Sequence, residues 1–312
     1  MLRYVGKRLV MMIPIMLGVI FVIFFIMEIT PGDPALRILG PEAGAEALEA
    51  LREQLGINKP FLERFVDYLV NVFTKLDFGT SWRTGNPVFE DIAPRIMVSV
   101  KLGLYGILFA TLLGVPLGVV SAVKQDSAGD GILRVLSTVT VAMPTFWLAM
   151  LLILGFALHW RIFPPGGVDH WYSYILPMVT AGSSYACSIL RMTRSTMLEE
   201  IRQDYIRTAR AKGVPDRVVT YKHALKNALL PVITTIGSCF GYIVGSSVVT
   251  ETVFSIPGLG SLAVLSIKAK DSPVVIVTVL LIAFFFAIIM LGVDLLYAFV
   301  DPRIRAKYAK KN

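Results

Sequence analysis

Charge is what this sequence has least of. Of its 312 residues only 17% are Asp, Glu, Lys or Arg, while 55% are hydrophobic. Soluble domains carry about 25% charged residues, so the composition points to a membrane chain. Cysteine is also scarce. Cys187 and Cys239 both lie in apolar stretches, which disfavours a disulfide framework and suits small apolar filler. The three histidines, His159, His170 and His223, show no metal-ligand spacing. No G-x-x-x-x-G-K-[ST] loop, H-E-x-x-H helix or G-x-S-x-G elbow occurs, so nothing here cradles a nucleotide, holds a catalytic zinc or activates a serine. Catalysis by this chain alone is unsupported. Any active transport must draw its energy from a gradient or from another subunit.

What the sequence does have is long apolar runs. A helix needs about 20 mostly apolar residues to cross a bilayer. Six stretches supply them: residues 9–29, 98–122, 135–157, 174–190, 228–250 and 274–300. The fourth is the weakest, interrupted by Pro177, Gly182 and several serines. Arg3, Lys7 and Arg8 ahead of the first stretch resemble the start of a secretory signal. Its apolar run exceeds the roughly 7–15 residues of a signal core, and no small-residue cleavage site follows, so it reads as a retained anchor. The expectation is an all-α membrane protein with six transmembrane helices. Its parts are an N-terminus 1–8, a first span 9–29, an external segment 30–97, a five-span core 98–300 enclosing a loop 191–227, and a basic tail 301–312.

The net charge of +8 does not call for nucleic acid, because the basic residues flank apolar spans and set orientation. Lys and Arg collect at the N-terminus, in the loop 191–227 (nine against four acids) and in the tail. With six spans these three segments share one side, which is then cytoplasmic. The segment 30–97 holds more acids than bases, and 159–173 is nearly uncharged. Within 30–97, residues 42–55 read as a helix stopping at Gly56. Residues 60–76 place Phe61, Phe65, Leu69, Val72 and Leu76 on one helical face. That face suits the bilayer surface, the top of the bundle or an external partner.

Two spans carry small residues at four-residue spacing: Gly106, Ala110, Gly114 and Gly118 in the second, and Gly237, Gly241 and Gly245 in the fifth. Such stripes let helix backbones approach closely. They mean either tight packing alone or also a mobile seam, at the pathway or at a subunit interface. Pro116 and Pro144 are candidate kinks. Ser238, Tyr242, Ser246 and Ser247 on the fifth span either line a pathway or pack between helices. Ionisable residues near the midplane are almost absent: Asp294 sits toward the cytoplasmic end of its span, and Glu28 and Glu251 at external ends. A proton- or ion-coupled carrier ordinarily needs such groups as coupling sites.

The segment 204–231 is basic and helix-forming. Residues 197–212 are helix-compatible, and Gly213 is a natural stop because it accepts positive φ. Pro215 and Asp216 suit the first turn of a second helix. Arg207, Arg210, Lys212 and Arg217 surround the turn. On these grounds it is either a topology-fixing surface loop or a rigid helix pair that can receive a push.

The run Arg207-Thr-Ala-Arg-Ala-Lys-Gly213 resembles the EAA loop of importer-type ABC transporter permeases. With His223-Ala-Leu-Lys-Asn-Ala-Leu-Leu-Pro231 it is similar to the dipeptide, oligopeptide and nickel branch, first-permease type. Pro31-Gly-Asp-Pro34, Leu55-Gly-Ile-Asn-Lys-Pro60, Phe78-Gly-Thr-Ser81 with Pro87-Val88, Pro164-Pro-Gly-Gly167, Glu251-Thr-Val-Phe-Ser-Ile-Pro-Gly-Leu-Gly260 and Asp301-Pro302-Arg303 extend the likeness over nearly the whole chain. The chain departs from the general EAA pattern in having Arg207 and Thr208 for its glutamate and first alanine. It also has five more residues between Gly213 and Pro231.

The resemblance implies a non-catalytic permease in a bacterial or archaeal cell membrane. Its implied partners are a homologous second permease, two cytoplasmic ATPases that carry the ATP and Mg, and an extracytoplasmic solute-binding protein. It further implies that Arg207, Thr208, Ala209, Arg210, Ala211, Lys212, Gly213, Pro215 and Asp216 couple to an ATPase. It implies half of the pathway for di- or oligopeptides delivered by that binding protein. Nickel complexes or oligosaccharides are the alternative cargo of the same machinery, and a stand-alone secondary carrier is the alternative of a different class.

Overall fold

In a computed structural model the described residues are 2–300, with side chains placed from Val5 to Leu296. The side chain of Arg3 and the tail 301–312, including the Asp301-Pro302-Arg303 motif, lie outside what is described. The described chain is helical, apart from a single antiparallel bridge between Thr80 and Pro87. In order the helices are α1 (Leu2–Ile29), α2 (Pro34–Leu39), α3 (Ala45–Gln54), α4 (Phe61–Lys75), α5 (Val88–Val123), α6 (Ala128–Ala142), α7 (Thr145–His159, ending in a π turn), α8 (Ile175–Ile201), α9 (Asp204–Ala211), α10 (Asp216–Ser246), α11 (Val248–Val253), α12 (Leu259–Ala269) and α13 (Ser272–Val300).

Among the described residues, length and apolar composition single out 4 spans, namely α1 from Val5, α5, α10 and α13 up to Leu296, or 5 if α6 and α7 together count as one. The six-span expectation is therefore not reproduced by these criteria. The missing member is α8. Its 27 residues reach about 40 Å at 1.5 Å per residue, enough to cross, but its serines, threonines and arginines make it too polar to qualify. The two prolines behave differently. α6 and α7 meet at a 105° bend beside Pro144, whereas Pro116 sits inside an unbroken α5.

Contacts divide the chain into two compact units, Met1–Val100 with Ser255–Phe285, and Lys101–Phe254 with Phe286–Asn312. The first unit packs Val88, Ile92, Leu259, Leu262, Val274 and Val277 into one apolar cluster. Asp271 organises the loop after α4, accepting from Ser81 Oγ at 2.5 Å and from the Trp82 amide at 3.0 Å. The amphipathic face of α4 is only partly satisfied. Phe61 and Phe65 stack edge-on against Phe21 and Phe24 of α1, while Leu76, expected on that face, remains exposed in a left-handed C-cap.

The second unit is built around α8, of whose residues 11 are buried. Ile189 and Ala186 of α8 join Ile107 and Ala110 of α5 and Val232, Cys239 and Ile243 of α10 in one core. Two sequence motifs also meet here. The Gly167 amide donates to the Phe254 carbonyl at 2.9 Å, and Gly166 lies so close that a Cβ there would come within 2.9 Å of the Phe254 carbonyl carbon.

Candidate functional site

The turn between α9 and α10 is a helix stop made by backbone geometry. Gly213 has φ +75°, a conformation glycine adopts without the Cβ penalty. Its amide donates to Arg210 O at 2.9 Å and the Val214 amide to Ala209 O at 3.2 Å, the pair of bonds that closes a Schellman motif. Pro215 then caps the start of α10. A Cβ on Gly213 would meet nothing within 4 Å, so the glycine is required for its φ and not for space.

The inner face of this turn is held firmly. Ile206 is fully buried with Val219, Ala224 and Ala228 of α10, Met197 of α8 and Val119 and Ala122 of α5, and Ala209 and Val214 pack against the cluster. Tyr205 adds a polar tie, donating to Glu200 and accepting from Asn227 at 2.9 Å. The outer face is open. Arg207, Thr208, Arg210, Ala211, Lys212, Gly213, Pro215 and Asp216 are exposed, and Ala209 is half-buried. Arg210 Nε reaches Asp216 Oδ1 at 3.1 Å across the turn, and Arg207 lies 3.8 Å from Asp204. All nine expected coupling residues thus fall on one short, well-anchored projection.

Two expectations are corrected in form. The helix read over 197–212 breaks at Arg202 and Gln203, after which α9 starts afresh at Asp204. No glycine or proline marks that break. The buried Ile206 and the Tyr205 tie draw the chain aside, a tertiary effect that local propensity does not encode. The second helix of the pair is likewise not separate. It is the start of α10, which continues for 31 residues to Ser246 through a π turn at Val219–Ala224.

The glycine stripes are both occupied by neighbours within the chain. A Cβ on Gly114 would lie 2.7 Å from Ala186 O, and one on Gly118 would lie 2.7 Å from Leu190 O and 2.5 Å from Thr193 Cβ, so α5 receives the backbone of α8. At Gly106 the nearest atom would be Ile243 Cγ2 at 3.3 Å. On α10 a Cβ on Gly237 would lie 2.5 Å from Val293 and one on Gly241 3.3 Å from Met290 Sδ, while Gly245 has more room, 3.7 Å from Phe286.

The polar residues expected on the fifth span, on α10 and at its C-cap Ser247, separate into two kinds. Tyr242 and Ser246 are exposed, with Ser246 Oγ 3.2 Å from Tyr185 OH. Ser247 faces inward and donates to the buried Glu251 at 2.9 Å, and Ser238 donates to the Thr234 carbonyl.

A polar knot was not anticipated from the sequence. Asp130 at the start of α6 is fully buried. It accepts from Arg194 Nε and Nη2 at 2.9 and 2.8 Å, from Ser121 Oγ of α5 at 2.5 Å and from the Asp126 amide, with Arg134 3.6 Å away. It joins α5, α6 and α8. The partners lie 64 residues apart, so no local pattern announces them.

Comparison with known proteins fits this arrangement. The family model described as the binding-protein-dependent transport system inner membrane component matches residues 114–306, and the one for the N-terminal part of such membrane components matches 1–103. The glutathione transport system permease protein GsiC of Salmonella choleraesuis (strain SC-B67) is 41% identical over 307 residues, 98% of this chain and all of that protein. GsiC of Escherichia coli (strain K12) is 40% identical over the same extent.

Proposed function

The chain belongs to the family of binding-protein-dependent transport system inner-membrane components, and from that premise we propose that it forms half of the pathway of an ATP-driven importer of small peptides. As a permease of that family it is a non-catalytic membrane subunit. In this reading it pairs with a homologous second permease and two ATPases, which carry the ATP and Mg, and takes its solute from an extracytoplasmic binding protein. Both termini and the α9–α10 turn face the cytoplasm, the side favoured by the basic loops.

One observation carries the reading. The exposed turn 207–216 is continuous with a membrane helix. At 31 residues, α10 is about 46 Å long, and it runs from the turn to the glycine stripe and to Tyr242 and Ser246. A push at Arg207–Gly213 is thereby delivered to helix packing and to the polar face without a flexible joint. Nucleotide-driven closure of the ATPases would then switch the bundle between two packings, with the glycine seams as sliding surfaces. Support for the substrate class comes from the relatives, whose names state glutathione transport. Glutathione is a tripeptide, so a short peptide is the reading favoured over a nickel complex or an oligosaccharide.

The test is ATP-dependent uptake in proteoliposomes that contain the assembled transporter and its binding protein. Labelled glutathione and di- to oligopeptides are compared with nickel complexes and oligosaccharides. Uptake of peptides alone is expected, and uptake of nickel or sugar alone overturns the substrate class. In the same system Gly213→Trp should leave ATP hydrolysis but abolish uptake, as should charge reversal at Arg210. Normal uptake by a stably inserted Gly213→Trp variant defeats the coupling role.

A further inference from the structure

Two cavities between α6 and α8 join end to end. One, about 550 Å³, is lined by Arg134 of α6 and by Arg191, Arg194 and Arg202 along and just after α8. The other, about 200 Å³, is an apolar slot bordered by Leu113 and Leu117 of α5, Leu133 and Leu136 of α6 and Cys187 of α8. Ser137 and Leu190 line both, so the two form one groove that passes from guanidinium to hydrocarbon surroundings.

The charges in the basic end do not balance. Asp130 pairs with both Arg194 and Arg134, the Asp126 carboxylate is near enough to favour the charge on Arg194, and Glu199 accepts from Ser195 Oγ at 3.4 Å. Among the described residues no carboxylate lies within ion-pair reach of Arg191 or Arg202, and Arg191 donates only to Ser188 Oγ at 3.4 Å. Four guanidiniums therefore face three carboxylates, none of them paired with Arg191 or Arg202. Arginine forks match phosphate oxygens in pairs, and basic pockets between membrane helices suit anionic lipid headgroups. The apolar end has the complementary chemistry. Beside it α6 leaves Ile132, Val135, Leu136 and Val139 exposed, which opens the slot to the bilayer.

We propose that this groove binds one membrane phospholipid of net negative charge, with its phosphate held by Arg191 and Arg202 and one acyl chain in the slot. A molecule with only one of these two parts satisfies half of the groove. Bound there, the lipid would tie α6 to the end of α8 from which the coupling turn projects. That the leaflet is cytoplasmic rests on the orientation proposed above, but the binding itself does not.

The test uses the full chain in its assembled, delipidated transporter, titrated with phosphatidylglycerol and with phosphatidylcholine and read by native mass spectrometry. Phosphatidylglycerol should bind at least about tenfold tighter than phosphatidylcholine. That preference should vanish in the double variant Arg191→Gln/Arg202→Gln, which leaves the Asp130 knot intact. In the Cys239→Ser background, phosphatidylglycerol should also slow maleimide labelling of Cys187, and glycerol phosphate alone should not. Equal affinity of wild type and double variant overturns the proposal. Protection by glycerol phosphate assigns the site to a soluble anion and overturns the lipid. A cross-link from Leu136→Cys to the second permease means that a protein covers the groove, with the same consequence.

Discussion

α1 and α8 are nearly equal in length and opposite in every other respect. α1 is strongly apolar, yet only 11% of its membrane window is buried. α8 carries serines, threonines and arginines, yet 11 of its residues are buried and both α5 and α10 pack on it. The difference shows what an apolar run reports in a membrane chain. It records contact with lipid, because lipid offers nothing to hydrogen-bond. A helix at the centre of a bundle is packed by protein on most sides, so its requirement is small residues and internally satisfied hydroxyls. Thr180, Ser183 and Thr196 each donate to a carbonyl one turn back.

The comparison can be broken by exchanging the demands of the two helices. The largest effect is expected at the α5–α8 contact. Gly118→Leu places a side chain against Leu190 O and Thr193 and should cost about 3 kcal/mol, because backbone cannot step aside cheaply. It is read as loss of the monodisperse protein in detergent. On α1, Ile15→Arg should cost about 2.5–3.5 kcal/mol of insertion near the helix centre, measured as the inserted fraction. Asp130→Asn removes the charge that Arg194 and Arg134 share. It should destabilise by about 2 kcal/mol in reversible unfolding from detergent, less than a fully buried pair because Arg194 is partly exposed.

Smaller effects sharpen the contrast. In the external segment, the hydrogen bond from Arg52 holds the Asp33 carboxyl below its ordinary value. The stabilisation is therefore complete above about pH 4, the unfolded value, and is lost as pH falls through the lower folded one. This water-facing pair should contribute less than about 1 kcal/mol, seen as faster hydrogen exchange in α2 and α3 only in acid. Ile15→Val on the lipid side of α1 should change stability by under about 0.5 kcal/mol. A large loss there would mean that α1 is covered by something other than lipid.

The same contrast explains what could be read from the amino acids. The spans that face lipid were legible because periodicity and length suffice for them. α8 looked weakest, since Gly182 and its serines are the mark of a helix seated among others, with Gly182 against the Gly106 carbonyl. In the candidate site, Gly213 and Pro215 announced the turn through backbone preferences local to two residues. The break at Arg202 and the Asp130–Arg194 knot depend on partners far along the chain, and no window of sequence holds both ends. Ser247 shows the same limit. Nothing in its neighbourhood distinguishes it from Ser246, yet one is buried against Glu251 and the other exposed.

The π turn at Val219–Ala224 gives α10 one residue more than a regular helix of the same rise needs. It therefore absorbs that residue locally, and the exposed turn at Gly213 keeps nearly the phase to the glycine face that a regular helix would give it. Removing one residue there would let the helix relax to regular winding with that phase kept, whereas winding the π turn regularly at its present length would rotate everything before it by about 100° about the axis. Arg207 and Arg210 would then face a different direction while Gly237 and Gly241 stayed in place. The direction in which Arg207 and Arg210 point is thus encoded in the winding of six residues that include neither of them.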